Sequence, residues 1–84
     1  MNEKTLRALV ENGAIKKVRI IGSGSRFHIE LQSSENPIIA ETNNGKVKTW
    51  ASLDGAAKWV KGLGIGTAEL QVGQWQPRQK ELAI

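Results

Sequence analysis

Residues 19–31 read RIIGSGSRFHIEL, two apolar runs separated by Gly22-Ser23-Gly24-Ser25. Whether those four residues cradle a phosphate or turn a hairpin decides the fold. A phosphate loop sets its glycines between a strand and a helix, so that the helix N-terminus faces the anion. The residues after these glycines alternate instead: Phe27, Ile29 and Leu31 on one face, Arg26, His28 and Glu30 on the other. No Gly-Lys-Ser/Thr ending follows, and Phe27 stands where a dinucleotide fingerprint has its third glycine. The stretch therefore predicts a β-hairpin with a four-residue loop, Gly22 and Gly24 at positive φ. The alternative left open is a loop whose N–H groups meet a nucleic-acid phosphate.

Outward from the hairpin, the other elements follow from the same periodicities. Leu6, Leu9 and Val10 recur at helical spacing within 3–12, with Asn2 as N-cap and Gly13 as the stop. IKKVRII (15–21) and RFHIELQ (26–32) are the hairpin strands. IIAET is a third strand, Asn43-Asn44-Gly45 a turn and KVKTW a fourth strand. Ser52 caps a helix to about Leu63, with Asp54 at its positive end and an expected apolar stripe of Leu53, Ala56, Ala57, Val60 and Leu63. TAELQV (67–72) is a closing strand with Ala68, Leu70 and Val72 inward. The fold class is α+β, an antiparallel meander with one main covering helix in the order α-β-β-β-β-α-β. Residues 1–73 form one small domain, and 74–84 are expected to be a flexible tail tethered by Trp75.

With 84 residues and no cysteine, the chain has a thin core and no disulfide to staple it. Its N-terminus lacks the apolar centre of a signal peptide, and no apolar run approaches the roughly 20 residues that span a bilayer. A cytoplasmic, bacterial protein is expected. The net charge of +4 suits an acidic partner or simple solubility.

Catalytic constellations are missing from the pattern. One histidine without cysteine makes no usual zinc site. Ser23 and Ser25 sit in a turn without a nucleophile elbow, and Glu30, Glu41, Asp54 and Glu69 are scattered singly. The reading is not an enzyme, with no cofactor and no metal. Cations are more informative. If Phe27, Ile29 and Leu31 face the helix, then Lys17, Arg19, Arg26 and His28 face away, and Val47 inward sends Lys46, Lys48 and Trp50 outward with them. Such a face suits neutralisation of phosphates and stacking on Trp50; the alternative for Trp50 is to fold over the helix start and pack against Leu53. A solvated sheet face bearing lysines reads the same way. Trp59 is expected in the core or at a dimer contact, and Trp75 as an anchor to its own domain, to a second subunit or to a partner.

The segment GKVKTWASLDGAAKWVKGLGIGTAELQVGQWQP carries a resemblance. Trp50, Ser52-Leu53-Asp54, Ala56-Ala57-x-Trp59, Leu63-Gly64-Ile65 and Trp75-x-Pro77 are similar to features of small ParC-type, partition-associated accessory proteins of plasmids and integrating elements in Gram-negative bacteria. VRIIGSGSRFHIEL is similar in layout to the same family's strand, glycine turn and aromatic strand. The resemblance implies a mobile-element accessory protein and assigns no functional residues. The expected function is weak nucleic-acid binding, DNA or RNA, through the basic sheet face. The alternative is a protein–protein adaptor docking through Trp59, Trp75 and the tail. A homodimer built on Leu6, Leu9 and Val10 is weighed against a monomer in which that helix covers its own sheet.

Overall fold

The computed structural model describes residues 1–34 and 36–76. Its elements are α1 (Glu3–Glu11), β1 (Ile15–Gly24), β2 (Arg26–Ser33), β3 (Pro37–Ile39), β4 (Thr49–Trp50), α2 (Leu53–Gly62) and β5 (Glu69–Trp75). This is an α+β fold in the expected order.

The GSGS segment is a hairpin, but a tighter one than expected. Pairing of β1 with β2 continues to Ser23↔Arg26, so the loop is Gly24-Ser25 alone. Gly24 has φ 62° and no non-glycine residue among the described ones has positive φ, the demand of a II′ turn with glycine first. Gly22 lies within β1 and its φ is not positive, contrary to expectation. Its lack of a side chain serves a close approach: a Cβ there would lie 2.7 Å from Cβ and 2.9 Å from Cγ of Trp75.

The sheet runs β3-β2-β1-β5, with β4 also paired to β2. β3 pairs with residues 30–32 of β2 and β4 with residues 27–28, so the two share one edge in succession. Between them the chain leaves the sheet as a small hairpin, closed by the Glu41↔Val47 bridge and a bond from Lys48 N to Ala40 O. Val47 is consequently exposed rather than inward. These pairings are antiparallel, whereas β5 is parallel to β1. The reason is α2. Parallel strands need a crossover, and α2 carries the chain over one sheet face from the β4 edge to the far side of β1.

Both helices lie on that face. The Asn2 side chain accepts from Thr5 N (3.1 Å) and the Ser52 hydroxyl from Gly55 N (3.1 Å), capping each helix as expected. Leu6 is fully buried under α1, so α1 covers its own sheet and does not offer that residue to a second subunit. The core joins Leu6 to Val18, Ile20, Phe27, Ile29, Leu31, Ala40, Ala56, Val60 and Leu63. No polar or charged side chain among the described residues is buried.

The buried stripe of α2 is rotated from the expected one. Ala56, Val60 and Leu63 are buried and Trp59 half-buried, while Leu53 and Ala57 are exposed. Two contacts roll the helix toward α1: Trp59 Nε1 donates to Glu3 Oε1 (3.0 Å), and Arg7 donates to Gly62 O (2.8 Å). The opposite flank is left standing off the sheet beside β5. For the same reason Ala68, Leu70 and Val72, expected inward, are exposed. Gln74 and Trp75, expected to begin the tail, are the last residues of β5. Gln76 follows, its N–H donating to Gly24 O, and the rest of that tail, 77–84, lies outside the described residues.

Candidate docking surface

Three surfaces compete for function, and the sheet's outer face is the first. Val18 and Ile20 point into the core, which turns Lys17, Arg19 and Ile21 outward; Arg26, His28 and Glu30 follow by alternation in β2. Thr49 lies beside His28 and Glu69 beside Arg19. Lys17, Arg19, Arg26 and His28 thus share one face, as the alternation predicts. Two of these cations are already engaged. Lys17 Nζ is 2.9 Å from Glu69, and Arg19 is 3.0 Å from Glu30 and 3.6 Å from Glu69. The hydrogen bond from Lys17, aided by the charges of Lys17 and Arg19, holds the Glu69 carboxyl below its ordinary pKa. Arg26 donates to Thr49 Oγ1 (2.8 Å) and to the Thr49 carbonyl (3.3 Å). The half-buried Ile39, paired with Glu30, adds an apolar side chain to the face. Such a surface presents little net field to a polyanion.

The other expected members of that face stand elsewhere. Pairing of Trp50 with Phe27 puts the indole on the helix side, because partners across a ladder share a face. There its ring lies 5.1 Å from that of Trp59, tilted 54°. The Lys48 ammonium sits 5.5 Å over Trp50, a cation–π contact. Lys46 is at the exposed tip of the small hairpin. The cluster ends on Glu3, which accepts from Arg7 (3.0 Å) as well as from Trp59. Those two hydrogen bonds, Arg7's the stronger influence, hold the Glu3 carboxyl below its ordinary value of 4.5. Trp50 and Trp59 therefore tie α1, α2 and β4 together. Trp75 is likewise turned inward onto Phe27, with ring centroids 5.3 Å apart.

The third surface was not anticipated. A groove of about 500 Å³ runs between α2 and β5, lined chiefly by Ile20, Leu53, Ala57, Val60, Ile65 and Leu70. Leu70 is 47% exposed, Val72 46% and Leu53 39%. They lie along the margin of the sheet, because β5 has β1 on one side and no strand on the other among the described residues. An edge strand presents a row of N–H and C=O groups to any chain that can pair with it. Natural edges are commonly blunted by lysine, proline or a bulge. β5 carries neither lysine nor proline; its device is a one-residue bulge at Val72–Gly73, where β5 passes from Gln71 to Gln74 while β1 passes from Ile21 to Ser23. The alternation of TAELQV was legible, and its position after the crossover helix was the signal that it closes the sheet as an edge. No family model, curated protein or solved structure matches this chain.

Proposed function

We propose that this chain is a small non-enzymatic binding module that docks protein on the apolar strip between α2 and β5 and on the open edge of β5. The observation that carries the reading is the placement of Leu53, Ala57, Leu70 and Val72, all exposed, beside the groove and along a strand that pairs with β1 alone among the described residues. Strand addition supplies main-chain hydrogen bonds, and neighbouring apolar pockets supply specificity. Contiguous exposed apolar surface marks interaction sites more often than isolated apolar residues do. A mobile-element accessory protein, as the ParC-type resemblance implies, would act through such a surface by tethering or assembly. The nucleic-acid reading retains Lys17, Arg19, Arg26 and His28 on one face. Its support is thinner, because Glu30 and Glu69 occupy two of those cations and Trp50 faces the other way. The test is site-specific photo-crosslinking. A photoreactive side chain at position 57 or 70 is expected to form adducts with a protein identified by mass, and one at position 32 on the outer face is not. Adducts with nucleic acid through position 32, with none through 57 or 70, would overturn the reading.

A further inference from the structure

Resting on that reading, we infer that the segment docked in the groove is aliphatic and acidic: a short stretch of a partner protein with apolar side chains laid between α2 and β5 and a carboxylate set against Lys61 and Thr67. The main chain of β5 supplies only part of the hold, because the bulge at Val72–Gly73 interrupts any added ladder after Gln71. Selection among partners therefore falls to the side chains that enter the groove. The crossover gives that groove two unlike ends. β5 is parallel to β1, so α2 carries the chain back across the sheet and its last turn lies where β5 begins. Lys61 and Thr67 line that end, Leu53 lines the end where α2 starts, and Ile20, Val60 and Leu70 form the apolar floor.

The charge around the groove is one-sided. Lys61 is the one charged residue lining it among the described residues. Neither its ammonium nor the Thr67 hydroxyl has an ion-pair or hydrogen-bond partner among those residues. The carboxylates nearest in the chain are already engaged: Asp54 lies 3.2 Å from Lys58, and Glu69 is held by Lys17 and Arg19. A lysine in a last helical turn often serves the negative end of the helix dipole. Here Arg7 already donates to Gly62 O at that end of α2, which leaves Lys61 free of the task.

An apolar floor that ends on one uncompensated cation and a hydroxyl is the complement of aliphatic side chains followed by a carboxylate. The carboxylate accepts from both groups, and the aliphatic side chains cover Leu53, Ala57 and Leu70. A basic segment would bring like charge to Lys61, which excludes it more strongly than the matched pair attracts. The exposed position of Lys61 makes the ion pair a modest and salt-sensitive part of the affinity. Its main effect is on which segments are accepted and how fast they arrive.

Selection of random peptides displayed on phage against the immobilised full chain tests this. The enriched peptides are expected to combine aliphatic residues with Asp or Glu. A synthetic copy of one should shift the amide resonances of Ala57, Lys61 and Leu70, leave those of Arg26 and His28 in place, and bind more weakly as salt rises. Lys61→Gln should weaken it by about two- to fivefold. Lys61→Glu should weaken it further and, in its own selection, enrich Lys or Arg in place of the acid. Lys46→Gln, at the tip of the small hairpin, should change nothing. Lys61 is exposed, so circular dichroism and melting of its variants should match the native chain; should Lys61→Glu fail to fold, Lys61→Gln and the salt dependence decide. Peptides that shift the groove amides but carry no acid, or that bind Lys61→Gln as tightly as the native chain, overturn this inference and leave the protein-docking reading standing. A selection that enriches nothing, or only peptides whose shifts fall on the outer face, also overturns it, and the docking reading is then judged by cross-linking through positions 57 and 70 alone.

Discussion

Gly22→Ala isolates the close approach that seats β5. The added methyl would lie 2.7 Å from Trp75 Cβ, 2.9 Å from Trp75 Cγ and 3.2 Å from Phe27 Cε1. Ordinary carbon contacts are about 3.5–4.0 Å, so β1 or the end of β5 must yield by nearly an ångström. Overpacking of this kind costs about 1–3 kcal/mol, offset by about 0.4–1 kcal/mol from the stiffer unfolded chain. A net loss near 1–2 kcal/mol corresponds to a drop of roughly 5–15 °C in Tm for a domain of this size. The assay is thermal and urea unfolding of a double-mutant cycle. Trp75→Gly removes both clashing atoms, and in that background Gly22→Ala should be neutral or slightly stabilising. Trp75→Ala keeps the Cβ and should keep most of the penalty. An equal penalty in the Trp75→Gly background would refute the reasoning and return Gly22 to a purely backbone role.

The rotated face of α2 predicts a contrast between neighbours. Ala56→Glu buries an unpaired charge and should cost at least about 3 kcal/mol, whereas Ala57→Glu should change stability by less than about 0.5 kcal/mol; chemical denaturation of both variants decides it. Acid should loosen the contact between α1 and α2. The Glu3 carboxyl is depressed, so its contribution is whole above the ordinary value of 4.5 and is lost as pH falls through its own lower pKa. Indole fluorescence from Trp59 should report that transition, and Glu3→Gln should flatten it. Arg26→Ala, on the outer face and bonded to Thr49 rather than to β5, should leave cross-linking through positions 57 and 70 intact; its loss would move docking to the outer face.

What could be read from the sequence was local. The period-two alternation of RFHIEL assigns Phe27, Ile29 and Leu31 to the core, and Asn2 and Ser52 cap their helices through bonds to residues three positions on. The same alternation places Lys17, Arg19, Arg26 and His28 on one face. What could not be read depends on partners distant in the chain. The roll of α2 is set by Glu3 and Arg7, each more than fifty residues from its contact. That roll alone separates buried Ala56 from exposed Ala57. Trp50 was misplaced because KVKTW looks like one continuous strand, whereas its first residues leave the sheet and only Thr49–Trp50 belong to β4. The purpose of Gly22 depends on Trp75, which a local reading assigns to a tail. The docking strip was hidden for a related reason: Leu70 and Val72 alternate as inward residues should, but the helix that would cover them leans the other way.

Amide hydrogen exchange, mapped along the chain alone and with the protein captured through positions 57 and 70, tests docking on β5. On addition of that protein, β5 amides pointing away from β1 should become protected, together with amides around Leu53 and Ala57, while α1 and the outer-face positions Arg26 and His28 stay unchanged. Unchanged exchange in β5, coupled with protection at Lys17, Arg26 and His28 when an oligonucleotide is added, would contradict docking there.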